Sequence, residues 1–349
     1  MKLVRPFAVT DAALSSSNVY ETPPATYAGG TTYALGAEVT TYSGKTGTVY
    51  RSLQAGNTGN TPSSSPLWWE AMGTVYAAWS GAVTYAANDI AADFTEHKLY
   101  ESVAGSNLNH NPVGDDGTWW LELGPTNLWA MFDQKTGTQT QWLEQVQVVI
   151  DVTGRMDTVG LLNLSGTSVN ITMMDGATEI HNQDYSLTTT DGIDGWYSWF
   201  FEPLVRMTDL VVTSLPINAD PEVTISVTAG DGDTVSVGNM ILGRAAELGG
   251  TQYGARVGIT DYSRITTDDF GNYTIVQRGY SKVADIAVWI TAENSDYVYN
   301  TLAAYRATPV LMIGADGFTS LAQYGLLKDW RVALQYVSHS VLDLQFQGI

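Results

Sequence analysis

The sequence predicts a mainly β, multidomain protein: two small three-stranded cassettes, an antiparallel β-sandwich or jelly roll, and a C-terminal α+β unit with one helix on a β-sheet. Three observations carry that prediction. A cassette occurs twice, at 27–73 and again at 79–124. Short strands with period-two stretches follow at intervals of roughly ten residues, broken by Asp-Gly and Asn-containing turns. One capped amphipathic stretch then stands near the C-terminus, before Thr308-Pro309.

The duplication is read residue by residue. Tyr33-Ala34 answers to Tyr85-Ala86, Val49-Tyr50-Arg51-Ser52-Leu53 to Leu99-Tyr100-Glu101-Ser102-Val103, and Ala55-Gly56 to Ala104-Gly105. Asn57 to Pro62 answers to Asn107 to Pro112, Trp68-Trp69 to Trp119-Trp120, and Gly73 to Gly124. A unit this small buries little surface, so its aromatics must serve a miniature core, a binding face, or both. Adjacent strand residues point to opposite faces, so one Trp of each pair can anchor the core while its neighbour faces outward. The exposed platforms are expected on Trp69 and Trp120, or on Trp68 and Trp119, with Tyr50 and Tyr100 beside them. An outward indole stacks on the apolar C–H face of a sugar ring, and nearby Asn and Thr side chains reach the hydroxyls.

The order Tyr, Ala, Gly, Val, then Val-Tyr, a Gly-Asn-Thr-Pro turn and Trp-Trp before a glycine resembles the small chitin- or cellulose-binding module found beside bacterial chitinases. The resemblance implies carbohydrate binding through Tyr50, Trp68, Trp69, Tyr100, Trp119 and Trp120. The second copy departs from the pattern at two places. Asn88-Asp89-Ile90 stands where the first has Gly36 to Val39, and a charged Asp93-to-Lys98 segment replaces the Tyr42-to-Gly47 turn. The structural alternative is that both Trp pairs only hold two tiny domains together.

Residues 1–26, with Pro6 and a Ser15-Ser16-Ser17 run, lack a clear period and read as an arm lying on a neighbouring subunit or on the chain's own later domains. Within 126–249, strands are expected at Gln145–Val152, Thr158–Leu164, Val169–Met174, Thr178–Gln183, Trp196–Phe201, Thr208–Val212, Val223–Thr228 and Val235–Gly243. The unit 250–349 opens with strands Tyr273–Arg278 and Ala284–Thr291. A helix follows over Ser295–Ala307, capped by Asn294 or Ser295, with Val298, Leu302 and Tyr305 on one face. Strands Val310–Ile313, Leu321–Leu326, Trp330–Tyr336 and Val341–Gln347 complete it.

Composition bounds the function. Charged residues make up only 15% of the chain, the profile of β-rich extracellular or virion proteins rather than helical cytosolic enzymes. With no cysteine there is no disulfide framework, thiolate metal site or cysteine nucleophile. A formal charge of −20 repels phosphate backbones and argues against specific nucleic-acid binding. The N-terminus Met1 to Pro6 lacks the apolar core of a secretion signal, and no run approaches a membrane span.

Catalysis has little support. His97, His110, His181 and His339 stand far apart and outside metal-ligand spacing, so no metal or cofactor is expected. Candidate carboxylate pairs for glycoside hydrolysis are Asp231 with Asp233 and Asp268 with Asp269, but Asp beside Gly is what tight turns select. Nearly the whole chain resembles structural proteins of tailed bacteriophages, through the N-terminal cassettes, Asn127 to Asp133, Asp261-Tyr262-Ser263-Arg264, Phe270-Gly271-Asn272, Arg306 to Pro309 and Tyr324-Gly325. That resemblance implies a non-enzymatic virion protein of the tail, made in the host cytoplasm. Its expected partners are copies of itself, other tail proteins and a host surface glycan, with assembly through the C-terminal unit. The alternatives are a glycan-degrading or accessory enzyme component and a purely architectural protein whose cassettes contact neighbouring subunits.

Overall fold

A computed structural model of the chain describes residues 1–189, 195–201, 205–315, 318–334 and 336–349. Its architecture is mainly β and multidomain. The opening residues are strands of later units: β1 (Lys2–Val4) enters the C-terminal sheet, and β2 (Leu14–Ser17) edges the sandwich. Of the two places expected for residues 1–26, this one is on the chain's own domains.

The first cassette is the antiparallel sheet of β3 (Glu38–Ser43), β4 (Thr46–Ser52) and β5 (Trp69–Tyr76). The second adds a two-residue pair, β6 (Thr84–Tyr85) with β9 (Asn107–Leu108), to the sheet of β7 (Ile90–Asp93), β8 (Lys98–Ser102) and β10 (Trp120–Pro125). In the first cassette a lone bridge, Tyr33 with Asn57, holds the place of that pair.

The sandwich comprises β11 (Thr140–Leu143), β12 (Gln145–Asp151), β13 (Met156–Ser165), β14 (Ser168–Asp175) and β15 (Thr178–Ser186), a short pair β16 (Thr188–Thr189) with β17 (Val205–Arg206), then β18 (Leu210–Asn218), β19 (Glu222–Thr228) and β20 (Thr234–Gly243). Its two antiparallel sheets run β11-β20-β13-β18 and β15-β14-β19-β12-β2. Alternate residues of β12, β14 and β19 (Val146, Val148, Ile150; Val169, Ile171, Met173; Val223, Ile225, Val227) face Leu161, Val235, Val237 and Trp142 in one core. Burying such Val and Ile side chains contributes about 1.5–3 kcal/mol each.

The C-terminal unit contains β21 (Ala245–Glu247), β22 (Gly250–Thr251), β23 (Arg256–Asp261), a hairpin of β24 (Arg264–Thr267) and β25 (Tyr273–Val276), then β26 (Tyr280–Thr291), β27 (Val310–Ile313), β28 (Ala322–Ala333) and β29 (His339–Gly348). The sheet order is β21-β1-β27-β28-β29-β26-β22, with β23 also on β26, and it starts at Ala245 rather than 250. One face meets the sandwich: Val4, Leu311, Ile313 and Tyr324 pack on Leu162 and Ile241. At Gly160 an added Cβ would sit 2.6 Å from a terminal methyl of Leu311, so the two layers approach closely here.

Three sequence expectations are corrected. Trp196–Phe201 is not a strand but a helix, α1 (Trp196–Phe201), with its aromatic side chains exposed. The two strands expected at Leu321–Leu326 and Trp330–Tyr336 are replaced by one, β28, which ends at Ala333 and whose polar Lys328-Asp329 interruption is a register shift between Leu327 and Asp329; residue 335 lies outside the described residues. The second helix, α2 (Ser295–Ala304), buries Val298 and Leu302 and packs Tyr305 on the same core, as the periodicity predicts. Its Asn294 N-cap makes no side-chain capping bond, however, and the Ser295 hydroxyl sits 2.9 Å from that of Ser340 instead.

Candidate carbohydrate-binding site

Each cassette is organised by one buried indole. Trp69 and Trp120 are 3% and 2% exposed, and each donates its Nε1–H to a turn carbonyl at 2.8 Å, of Asn60 and His110 respectively. Each lies edge-on to the tyrosine of its own repeat, Tyr33 at 5.2 Å and Tyr85 at 5.0 Å between centroids. Tyr27 adds a third ring to the first cassette, edge-on to Trp69 at 5.9 Å.

The polar frame is duplicated as well. Buried Asn57 donates its amide to Ser52 Oγ at 3.0 Å and to the Trp68 carbonyl at 3.3 Å. Asn107 makes the same two bonds to Ser102 Oγ and the Trp119 carbonyl, at 3.0 and 3.3 Å. Ser52 and Ser102 in turn donate to the carbonyls of Gln54 and Ala104, each at 2.9 Å. Even the sequence departure at Asn88 is conformationally neutral. Gly36 and Asn88 both adopt positive φ, 80° and 68°, and donate their N–H to the Ser52 and Ser102 carbonyls at 2.8 Å.

The frame decides which Trp faces out. Trp68 and Trp119 are half-buried at the surface, whereas Trp69, Trp120 and Tyr100 (5% exposed) are core residues and form no platform. The ladder pairs Ser52 with Trp69 and Tyr50 with Ala71, so Tyr50, itself half-buried, lies on the Trp69 side of its sheet. Of the six residues expected to bind sugar, the outward pair is therefore Trp68 and Trp119, with the other four supporting them.

The turns that present these two indoles differ chemically. In the first cassette the Ser65 carbonyl accepts from the backbone N–H groups of Trp68 and Trp69 at 2.9 and 3.1 Å. In the second the Asp115 carboxylate takes over, accepting from Trp119, Trp120 and Gly117 at 3.1, 3.0 and 3.0 Å. Burial pushes the Asp115 carboxyl up, but the N–H groups of Trp120, Trp119 and Gly117 outweigh it and hold the group below the ordinary carboxylate range. The His110 ring packs on Trp119 with centroids 3.7 Å apart, and its buried Nδ1 has no hydrogen-bond partner among the described residues. Sequence reasoning missed both roles: Asp115 lies outside the residues matched between the copies, and His110, which stands where the first copy has Asn60, is weighed there only as a metal ligand.

Two clusters fix the cassettes to the rest of the chain. Arg51 Nη2 donates to Glu70 and to Glu144 at 2.6 and 2.7 Å, tying β5 to the sandwich. The Arg51 guanidinium holds the Glu144 carboxyl low, while the hydrogen bond shared with Glu144 and the charge of that carboxylate push the Asp231 carboxyl up. On the second cassette, Glu21 accepts from Thr126 Oγ1 at 2.7 Å and Trp129 Nε1 at 3.0 Å, and stands 3.0 Å from His97 Nδ1. The His97 ring stacks on Trp129 at 3.9 Å.

The remaining carboxylates behave as turn residues. The Asp233 N–H donates to the Gly230 carbonyl at 3.0 Å, closing the Asp231-Gly232 turn. Asp268 accepts from the N–H groups of Phe270 and Asn272 at 2.9 and 2.8 Å, at the tip of the β24–β25 hairpin beside Asp269. His339 stacks between Trp289 and Tyr336 at 4.4 and 4.3 Å, and His181 approaches the Tyr185 hydroxyl at 3.4 Å. Among the described residues no group of three or more His, Cys, Asp or Glu side chains could hold a metal ion.

Comparison with protein-family models, curated proteins and solved structures gives no match.

Proposed function

We propose that this chain is a structural protein of a bacteriophage virion, in the tail, which assembles through its C-terminal unit and carries its two cassettes as carbohydrate-binding modules for host-surface attachment. The observation that supports sugar binding is the twice-built frame around Trp69 and Trp120, which holds Trp68 and Trp119 at the surface in equivalent positions. A rigid, half-exposed indole is suited to stack on a pyranose ring. The virion assignment rests on the sequence resemblance described above. Single stacking contacts are weak, so each module binds in the micromolar to millimolar range, and useful attachment comes from multivalency.

In this reading the chain is not an enzyme. Replacing Asp231, Asp233, Asp268 or Asp269 with Asn removes no hydrolytic activity. Incubation of the purified chain with host cell-wall and capsule polysaccharides tests this, since release of reducing ends above buffer would promote the enzyme alternative. Glycan-array binding and titration with the same polysaccharides test the attachment role. Absence of binding by the assembled oligomer would favour the architectural alternative, in which Trp68 and Trp119 contact neighbouring subunits.

A further inference from the structure

The C-terminal sheet has two open edges that complement one another. On one side β23 pairs, among the described residues, with β26 alone. On the other, β27 covers β28 only from Ala322 to Gly325, so among the described residues Leu326–Ala333 pairs with β29 alone. Open edges of this length are templates for another chain. Because β23–β26, β26–β29 and β29–β28 are all antiparallel, β23 and β28 run in opposite directions. A second sheet placed alongside in the same orientation would therefore bring its β28 antiparallel to β23.

The side chains at the two edges also match. One cross-strand row runs Arg256–Asp285–Gln345–Asp329, with a cation at one edge and a carboxylate at the other. It lines a groove of about 420 Å³ across the sheet. The next row, Val257–Ala284–Phe346–Leu327, is apolar from edge to edge, and Val257 at its end is exposed although Ala284 and Phe346 are core residues. Beyond β23 the chain from 256 to 280 is exposed at every residue but Ser263. In its hairpin Ile265 and Ile275 face each other at 64% and 67% exposure. A two-stranded ribbon is marginal in water by itself, so this apolar pair needs a covering surface. The segment 256–282 holds four of the 16 Lys and Arg residues but only three of the 36 Asp and Glu, which suits it to the acidic surface of another copy.

We propose that the occupant is a second copy of this chain: C-terminal sheets join head to tail, with β23 pairing antiparallel to Leu326–Ala333 of the next copy. The register continues the existing rows, so that Arg256 meets Asp329 and Val257 meets Leu327. The 262–280 hairpin lies on the neighbour. Such a contact is heterologous and generates a ring where the rotation closes and a filament where it does not. This inference rests on the assembly part of the function proposed above and is independent of sugar binding.

The chain has no cysteine, so introduced thiols report the contact without background. Within one chain, positions 256 and 329 are three strand spacings apart, about 14 Å, which is too far for a disulfide. The oxidised Arg256→Cys/Asp329→Cys chain is expected to give a reducible ladder of dimers, trimers and higher species on a denaturing gel, with each single variant staying monomeric. A ladder absent from the double variant overturns the proposal, and so does a dimer formed by Arg256→Cys alone, which would mean a two-fold edge pairing. Arg256→Asp should dissociate the oligomer in light scattering, and Arg256→Asp/Asp329→Arg should restore it. Glycan titration of the same variants, per protomer, separates the two readings: the intrinsic affinity stays unchanged whether or not assembly is lost.

Discussion

Trp120 meets Tyr85 edge-on at 5.0 Å, and its indole N–H is spent on the His110 carbonyl, as that of Trp69 is spent on the Asn60 carbonyl. These rings are the centre of each miniature core. Trp69→Ala or Trp120→Ala should therefore cost about 3–5 kcal/mol within its own cassette. Hydrogen exchange should show the affected cassette opening while the sandwich strands stay protected.

The two turns that carry the outward indoles should respond differently to acid. The folded Asp115 carboxyl titrates below the ordinary carboxylate range, so its contribution is present above the unfolded value and lost as the pH falls through the depressed folded one. Amide protection of Trp119 and Trp120 should fall in that window, while Trp68 and Trp69, bound to the Ser65 carbonyl, keep theirs. Asp115→Asn should remove the difference.

Arg51 joins Glu70 of the first cassette to Glu144 of the sandwich, with its side chain about 29% exposed. Arg51→Ala leaves the two carboxylates facing each other without a cation. A loss of about 1 kcal/mol is expected at this partly exposed site. Limited proteolysis should detect it as faster cleavage of the first cassette at unchanged global Tm.

Much of the fold was legible in the sequence, and the exceptions have physical reasons. The duplication carried both cassettes, and period-two runs located most sandwich strands. Trp196–Phe201 read as a strand because aromatics favour sheets and six residues are too few for a helical period to show. Nothing local marks Lys2–Val4 as a strand, since its partners Ala245–Glu247 and Leu311–Ile313 lie far away in sequence. For the site, strand alternation said that one Trp of each pair faces out but not which one. That choice is made by Tyr33, Tyr85 and the carbonyls of Asn60 and His110.

The placement of β1 sets how the cassettes can be removed. A deletion of 1–125 would strip Lys2–Val4 from the C-terminal sheet and Leu14–Ser17 from the sandwich. A deletion of 24–124 keeps both strands and leaves Glu21 with its partners Thr126 and Trp129. Such a chain should enter particles and adsorb poorly. If it failed to enter particles with the sheet intact by circular dichroism, the cassettes would be the anchor and the orientation of the molecule reversed.

Calorimetric titration of the full chain with host-surface polysaccharide, repeated on Trp68→Ala/Trp119→Ala, tests the carbohydrate-binding reading most directly. Both side chains are half-buried and Trp119 also packs on the core of its cassette, so circular dichroism and hydrogen exchange of the variant must show both cassettes still folded. Micromolar-to-millimolar binding by the parent and at least a tenfold loss in the double variant are the results expected of carbohydrate binding through these indoles. Undiminished binding by the variant, or no binding by the parent to any host envelope polysaccharide, would contradict it.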